Sequence, residues 1–177
     1  LVPWKNHTAF IEAAAQLVQD EGCDRARFVV IGGDLWGEQT PYVAKLRDLV
    51  KKYDLADRFT FIPNRMDGAD AIAALDALVH PALDEPFGRV LMEAMALRRP
   101  VIAMNQNGPR EIVTHEHDGL LVSPQEENGL AKSMKRLMHD RVLYDHLQHH
   151  TRPSIVNRFH SDDHAIRIAE IYREMGV

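Results

Sequence analysis

The stretch Glu85-Pro86-Phe87-Gly88-Arg89-Val90-Leu91-Met92-Glu93 places one acid in a turn after a short apolar run and a second acid farther along a helical pattern. The first amides of a helix lack internal acceptors, and the macrodipole adds partial positive charge there. Backbone alone can therefore hold an anion at such a point. Gly88 presents no Cβ, which lets a ligand approach the backbone closely. A carboxylate at Glu93 can accept two hydrogen bonds from a ribose diol, as an acid does for dinucleotides. Together these features suit a diphosphate seat. A structural reading has equal weight on spacing alone: Glu85 complementing the dipole for about 0.3–1 kcal/mol, Arg89 and Glu93 as an i,i+4 surface pair in its weaker order, and Gly88 permitting close helix-to-sheet packing.

Other chemistries find little support. There is no Gly-x-x-x-x-Gly-Lys-Ser/Thr loop, Gly32-Gly33 with Gly37 does not fit Gly-x-Gly-x-x-Gly, and no Gly-x-Ser-x-Gly elbow occurs. The single cysteine, Cys23, has no adjacent base in sequence and cannot form an internal bridge, which fits a reducing compartment, with cytoplasm the default, or simply a buried thiol. The ten histidines include His115 with His117 and His146 with His149 and His150. They lie on a polar loop and a helix face without the usual zinc-ligand spacing, so they read as solvated surface and no metal is expected.

The elements that must position the 85–93 stretch alternate β-rich apolar runs with helical patterns, the mark of an α/β fold with a parallel sheet. Asn6 can cap a helix to about Gln19, with Gly22 beyond its end. A strand Phe28 to Ile31 precedes Gly32-Gly33 and a loop with Trp36 and Gly37. A helix follows from Pro41 to about Tyr53. A second strand, Phe59 to Ile62, stops at Pro63. A helix near Ala69 to Leu75 leads to a strand, Ala77 to His80. Then come a helix from Phe87 to about Leu97, a strand Val101 to Met104, a short helix carrying Glu111, Ile112 and Val113, and a strand Leu120 to Val122. Helices over Glu126 to Asp140, Val142 to about His149 and Asp162 to Met175 complete the pattern, with a break near Pro153. This predicts one domain over residues 1–177, with five or six parallel strands and helices on both faces. Ligands of such sheets bind at the carboxyl ends of the strands.

With 177 residues, 21 Lys+Arg, 26 Asp+Glu and a net charge of −5, the chain has the size and composition of one globular domain. The negative charge, the absence of a dense basic run and only 7% aromatic residues argue against a nucleic-acid partner. No apolar window is long enough for a transmembrane helix, and no signal-peptide pattern opens the chain. Position 1 is not Met, so a longer parent protein is expected.

At Glu85 and Glu93 the sequence resembles the family 4 type of retaining glycosyltransferases, the glycosyl transferases group 1, through that family's Glu-x7-Glu motif. The likeness extends over His80-Pro81 through Glu93-Ala94-Met95-Ala96, then Pro100-Val101-Ile102-Ala103, Gly108-Pro109-Arg110-Glu111-Ile112-Val113 and Gly119-Leu120-Leu121-Val122. The opening Leu1-Val2-Pro3-Trp4-Lys5-Asn6-His7 is similar to the segment that begins the family's C-terminal domain. The resemblance implies a Rossmann-like doubly wound sheet, the C-terminal half of a GT-B fold, with a nucleoside diphosphate sugar against its carboxyl edge. Phe87, Gly88, Arg89 and Val90 would surround the diphosphate and Lys5 would neutralise it. Glu93 would bind the ribose, Pro63 and Asn64 would border the base, and Glu85 would face the transferred sugar as the catalytic residue. No cofactor or metal is implied, and the acceptor would be held by an N-terminal domain of the longer protein. The family's usual arginine before the lysine falls ahead of Leu1. Arg98-Arg99 stands for the usual Cys-Gly, and Asn107 for the first glycine of a Gly-Gly pair. Another nucleotide-sugar enzyme of the same fold, an epimerase or phosphorylase, and a noncatalytic nucleotide-binding module are the alternatives.

Overall fold

The structure is a computed structural model that describes residues 1–20, 22–33 and 41–176. Its strands are β1 (Phe28–Ile31), β2 (Phe59–Ile62), β3 (Leu78–His80), β4 (Val101–Met104) and β5 (Leu120–Val122). Its helices are α1 (His7–Leu17), α2 (Pro41–Lys52), α3 (Gly68–Ala73), α4 (Arg89–Ala96), α5 (Gly108–Ile112), α6 (Gly129–His139), α7 (Arg141–Arg158) and α8 (Ser161–Glu174). A short 3-10 turn, Pro3–Lys5, precedes α1. The expected loop with Trp36 and Gly37 lies outside the described residues.

Every strand pairing is parallel, as the alternation of strand and helix requires. The ladder bonds form two sheets rather than the single one expected, β1-β2 and β3-β4-β5. One apolar cluster nevertheless spans both, joining Phe28 and Val30 of β1 and Phe59 of β2 to Ile102, Met104, Leu120 and Val122. β4 is buried at all four positions because it is covered on both faces. Ile102 and Met104 meet the cluster shared with α1, α2 and α6, while Val101 and Ala103 meet Leu91, Ala94 and Met95 of α4, Ile112 of α5 and Ile155 of α7.

Two local expectations give way to tertiary constraints. Asn6 stands at the N-cap of α1 with φ 54° and makes no capping bond; its Nδ2 donates instead to the Pro81 carbonyl at 3.1 Å. Pro153 does not break a helix, since α7 runs through it from Arg141 to Arg158. Buried Thr151 and Ile155 hold that stretch against the body of the domain, where Ile155 joins the α4 cluster. A mid-helix proline costs about 3 kcal/mol, which this packing has to offset. At the end of α4, Arg98 takes φ 57°, so that its N–H reaches Met95 O and the Arg99 N–H reaches Ala94 O. This is the Schellman closure that glycine normally provides.

Candidate functional site

Parallel topology sends the chain from the carboxyl end of β3 through residues 81–88 into α4, and from the end of β4 into α5. Both helix starts therefore sit on one edge of the β3-β4-β5 sheet. The backbone there is tightly interlocked. Gly108 N–H donates to Glu85 O at 3.2 Å, and Asn107 Nδ2 donates to Leu83 O at 3.4 Å. A Cβ on Gly108 would fall on the Phe87 backbone. Asn107, at φ 51° and ψ −137°, holds a conformation that glycine adopts far more readily. Gly88 is required for a related reason. Its φ is +99°, and a Cβ there would meet Leu91 and the Glu85 side chain at 3.1 and 3.4 Å. Backbone conformation thus explains this glycine more directly than ligand approach does.

A cleft of about 580 Å³ opens on this edge, lined by Lys5, Glu85, Pro86, Phe87, Gly88, Arg89, Val90 and Glu93. The fold therefore gathers the 85–93 stretch and Lys5, far apart in sequence, around one space. Lys5 arrives on the opening turn, which Asn6 fastens to Pro81. Its ammonium lies over the exposed Trp4 ring, 4.1 Å from the centroid, and pairs with the Glu85 carboxylate. Phe87 packs edge-on to Phe159 with centroids 6.1 Å apart. Val90 leans into the α4 cluster. Arg89, its side chain 83% exposed, is 4.0 Å from the half-exposed Glu93, at the limit of a surface pair and of little energetic weight. Pro63 and Asn64 are exposed at the end of β2 and are not brought into the cleft wall.

Glu85 is only 7% exposed, so it forms the floor of the cleft rather than projecting into it. Burial pushes its carboxyl up, but the hydrogen bond and charge of Lys5 outweigh this, with His80 and the Phe87 amide adding to the effect, and its pKa lies below the usual value. His80 is the residue that sequence reasoning did not single out. It is 6% exposed, and its Nε2 lies 3.2 Å from Glu85 Oε2, out of line for a directed hydrogen bond. Burial lowers its pKa, aided by the Lys5 charge, although Glu85 pulls the other way. The signal for it was a histidine closing an apolar strand just before proline. Lys5, Glu85 and His80 form one linked set, so a ligand that draws Lys5 away alters the charge balance at Glu85.

Among the described residues, no serine, threonine or cysteine lines this cleft. What the cleft offers is a helix start, a cation, and two carboxylates at different depths, which suits recognition of an anion flanked by hydroxyl groups. The family model described as glycosyl transferases group 1 matches residues 1–153. The chain is similar to the alpha-D-kanosaminyltransferase of Streptomyces kanamyceticus, 28% identical over 176 residues and covering 95% of this chain and 42% of that protein. It is also similar to the UDP-Gal:alpha-D-GlcNAc-diphosphoundecaprenol alpha-1,3-galactosyltransferase of Escherichia coli, 28% identical over 182 aligned positions, covering 100% and 44%. Among solved structures, Anabaena Alr3699/HepE in complex with UDP and glucose is 30% identical with a TM-score of 0.87, over 98% of this chain and 46% of that one. The chain spans less than half the length of these relatives.

Proposed function

The chain belongs to the glycosyl transferases group 1 family, and on that premise we propose that its cleft binds the nucleoside diphosphate of a sugar donor for transfer with retention at the anomeric carbon. The observation that carries this reading is the convergence of Lys5, Glu85, Glu93 and the start of α4 on one cleft at the carboxyl edge of the sheet. The neighbouring Anabaena protein was solved with UDP and glucose, which supports a uridine donor. The diphosphate rests against the amides of Phe87 through Val90, that of Phe87 shared with the Glu85 carboxylate, Glu93 takes the ribose diol, and Pro63 and Asn64, outside the cleft wall, border the base beyond it. The acceptor is held by the rest of the longer protein, as an N-terminal domain.

In this reaction the bond from the anomeric carbon to the diphosphate oxygen breaks, and a bond to the acceptor oxygen forms on the same face. The acceptor proton passes to the departing phosphate oxygen. Negative charge grows on the leaving group as positive charge grows on the ring, so donors already aimed at the phosphate lower the barrier. Lys5 is engaged by Glu85 before the donor arrives, and the diphosphate competes for it. As Lys5 turns toward the phosphate, the Glu85 carboxylate is less neutralised and better able to steady the ring or orient its hydroxyls.

A helix terminus supplies at most about 2 kcal/mol toward an anion, whereas micromolar affinity needs about 8. Lys5, the ribose contact and base stacking supply the remainder. Glu93→Ala removes hydrogen bonds to a charged acceptor, about 1.5–3 kcal/mol, and Glu93 is exposed enough for the fold to tolerate the change. Calorimetry with UDP is expected to give saturable binding to the chain and at least tenfold weaker binding to Glu93→Ala. Absence of saturable heat, or equal affinity in the variant, would refute the reading.

A further inference from the structure

The sequence separates its histidines into a loop group, His115 and His117, and a helix group, His146, His149 and His150. The fold recombines them. His117, on the loop between α5 and β5, meets His146 and His150 of α7, and one ring nitrogen from each lies within 4.8 Å of the others. The centroid of His150 is 4.5 Å from that of His117 and 4.3 Å from that of His146. We propose that these three side chains form a binding site for a divalent transition-metal ion, with zinc the natural occupant, which staples the 113–119 loop to α7.

Each part of the arrangement is prepared for this. His146 and His150 stand at i,i+4, so both project from the same side of α7. The Nδ1 of His150 lies 2.8 Å from the His146 carbonyl oxygen. A carbonyl only accepts, so Nδ1 carries the proton and Nε2 is left with its lone pair for a metal. Such a bond fixes tautomer and ring orientation in metal-ligating histidines. The loop is preformed as well. Thr114 N–H donates to Asp118 Oδ1 at 2.7 Å, the His117 and Asp118 amides both return to Thr114 O at 3.1 Å, and Glu116 N–H reaches Gly119 O at 2.8 Å. Tetrahedral zinc with bonds of about 2.0–2.1 Å separates its ligand nitrogens by about 3.3 Å. The ring nitrogens thus need to close by at most about 1.5 Å, within the reach of side-chain rotation for two exposed residues and one half-buried one. A water completes the coordination.

This place lies at the opposite end of the sheet from the cleft. The 113–119 loop precedes β5 and so sits at the amino edge, whereas the cleft is built on segments that follow β3 and β4. The ion would act on stability, by coupling a surface loop to the helix that packs against α4, and would leave donor contacts untouched.

The test is titration of the chain with ZnCl2, followed by calorimetry and thermal unfolding, in the parent and in His117→Ala, His146→Ala and His164→Ala. His164 is exposed on α8 and outside the cluster. The expected result is uptake of one Zn2+ per chain and a melting temperature raised by about 5 °C when zinc is in large excess over its dissociation constant. Both effects should weaken tenfold or more in His117→Ala and in His146→Ala, and persist in His164→Ala. The metal-free melting temperatures of the two cluster variants should match the parent, since both side chains are on the surface. No uptake at about 100 μM zinc, or uptake that survives either cluster replacement, would overturn the proposal.

Discussion

Gly108→Ala is expected to lower the melting temperature by about 5–10 °C and to weaken UDP binding tenfold or more. The added methyl group would fall on the Phe87 backbone, and backbone cannot rotate aside as a flexible side chain does. Forcing such an overpacked contact costs about 1–3 kcal/mol, here toward the upper end because the Gly108 N–H is also tied to Glu85 O. Relief requires the 85–88 segment to move away from α5, and that segment carries the amides that face the cleft. Stability and ligand affinity should therefore fall together. A variant that melts with the parent and binds UDP as well would show that the contact between the two loops does not shape the site.

Lys5→Met is expected to destabilise the chain by about 2 kcal/mol at neutral pH and to weaken UDP binding at least tenfold. Removing one partner of a fully buried ion pair costs about 3–5 kcal/mol, because the other charge is stranded. Lys5 keeps 34% of its side chain exposed while Glu85 keeps 9%, so water screens part of the loss and the smaller figure applies. The pH dependence identifies the cause. In the parent the Glu85 pKa lies below its ordinary 4.5, so the pair contributes stability that is present above that value and is lost as pH falls through the folded-state pKa. In Lys5→Met, burial acts without its counterweight and the carboxyl protonates more readily in the native state. Chemical denaturation should show the two proteins far apart at pH 7 and converging as pH falls, with the gap closed once the pH is below the folded-state pKa of Glu85 in the parent. A gap that stays constant with pH would mean that Lys5 acts by packing alone.

Much of this architecture was legible because proline and glycine punctuate the chain. β1, β2, β4 and β5 have the bounds that their apolar runs suggest, with Pro63 and Gly32-Gly33 closing two of them. The gathering of Lys5 with the 85–93 stretch followed from resemblance and not from spacing, since residues eighty apart have no local signal. Where local rules failed, long-range contacts had prevailed. Asn6 gave its side chain to Pro81 rather than to α1, and α7 ran through Pro153 because residues on either side were already buried against the domain. The depth of Glu85 was equally hidden. A glutamate in a turn reads as solvated, and only the meeting of His80 and Lys5 makes a buried position tolerable. The histidine cluster belongs to the same class, as its members come from two separate segments that only the tertiary fold brings together.

The central claim is that the amides at the start of α4 receive the diphosphate, and amide-resolved NMR tests it most directly. On titration of the isotope-labelled chain with UDP, the resonances of Phe87, Gly88, Arg89 and Val90 should move most, with Lys5 and Glu93 following the same saturation curve. Largest shifts elsewhere in the chain, with these four amides unmoved at saturation, would contradict the account.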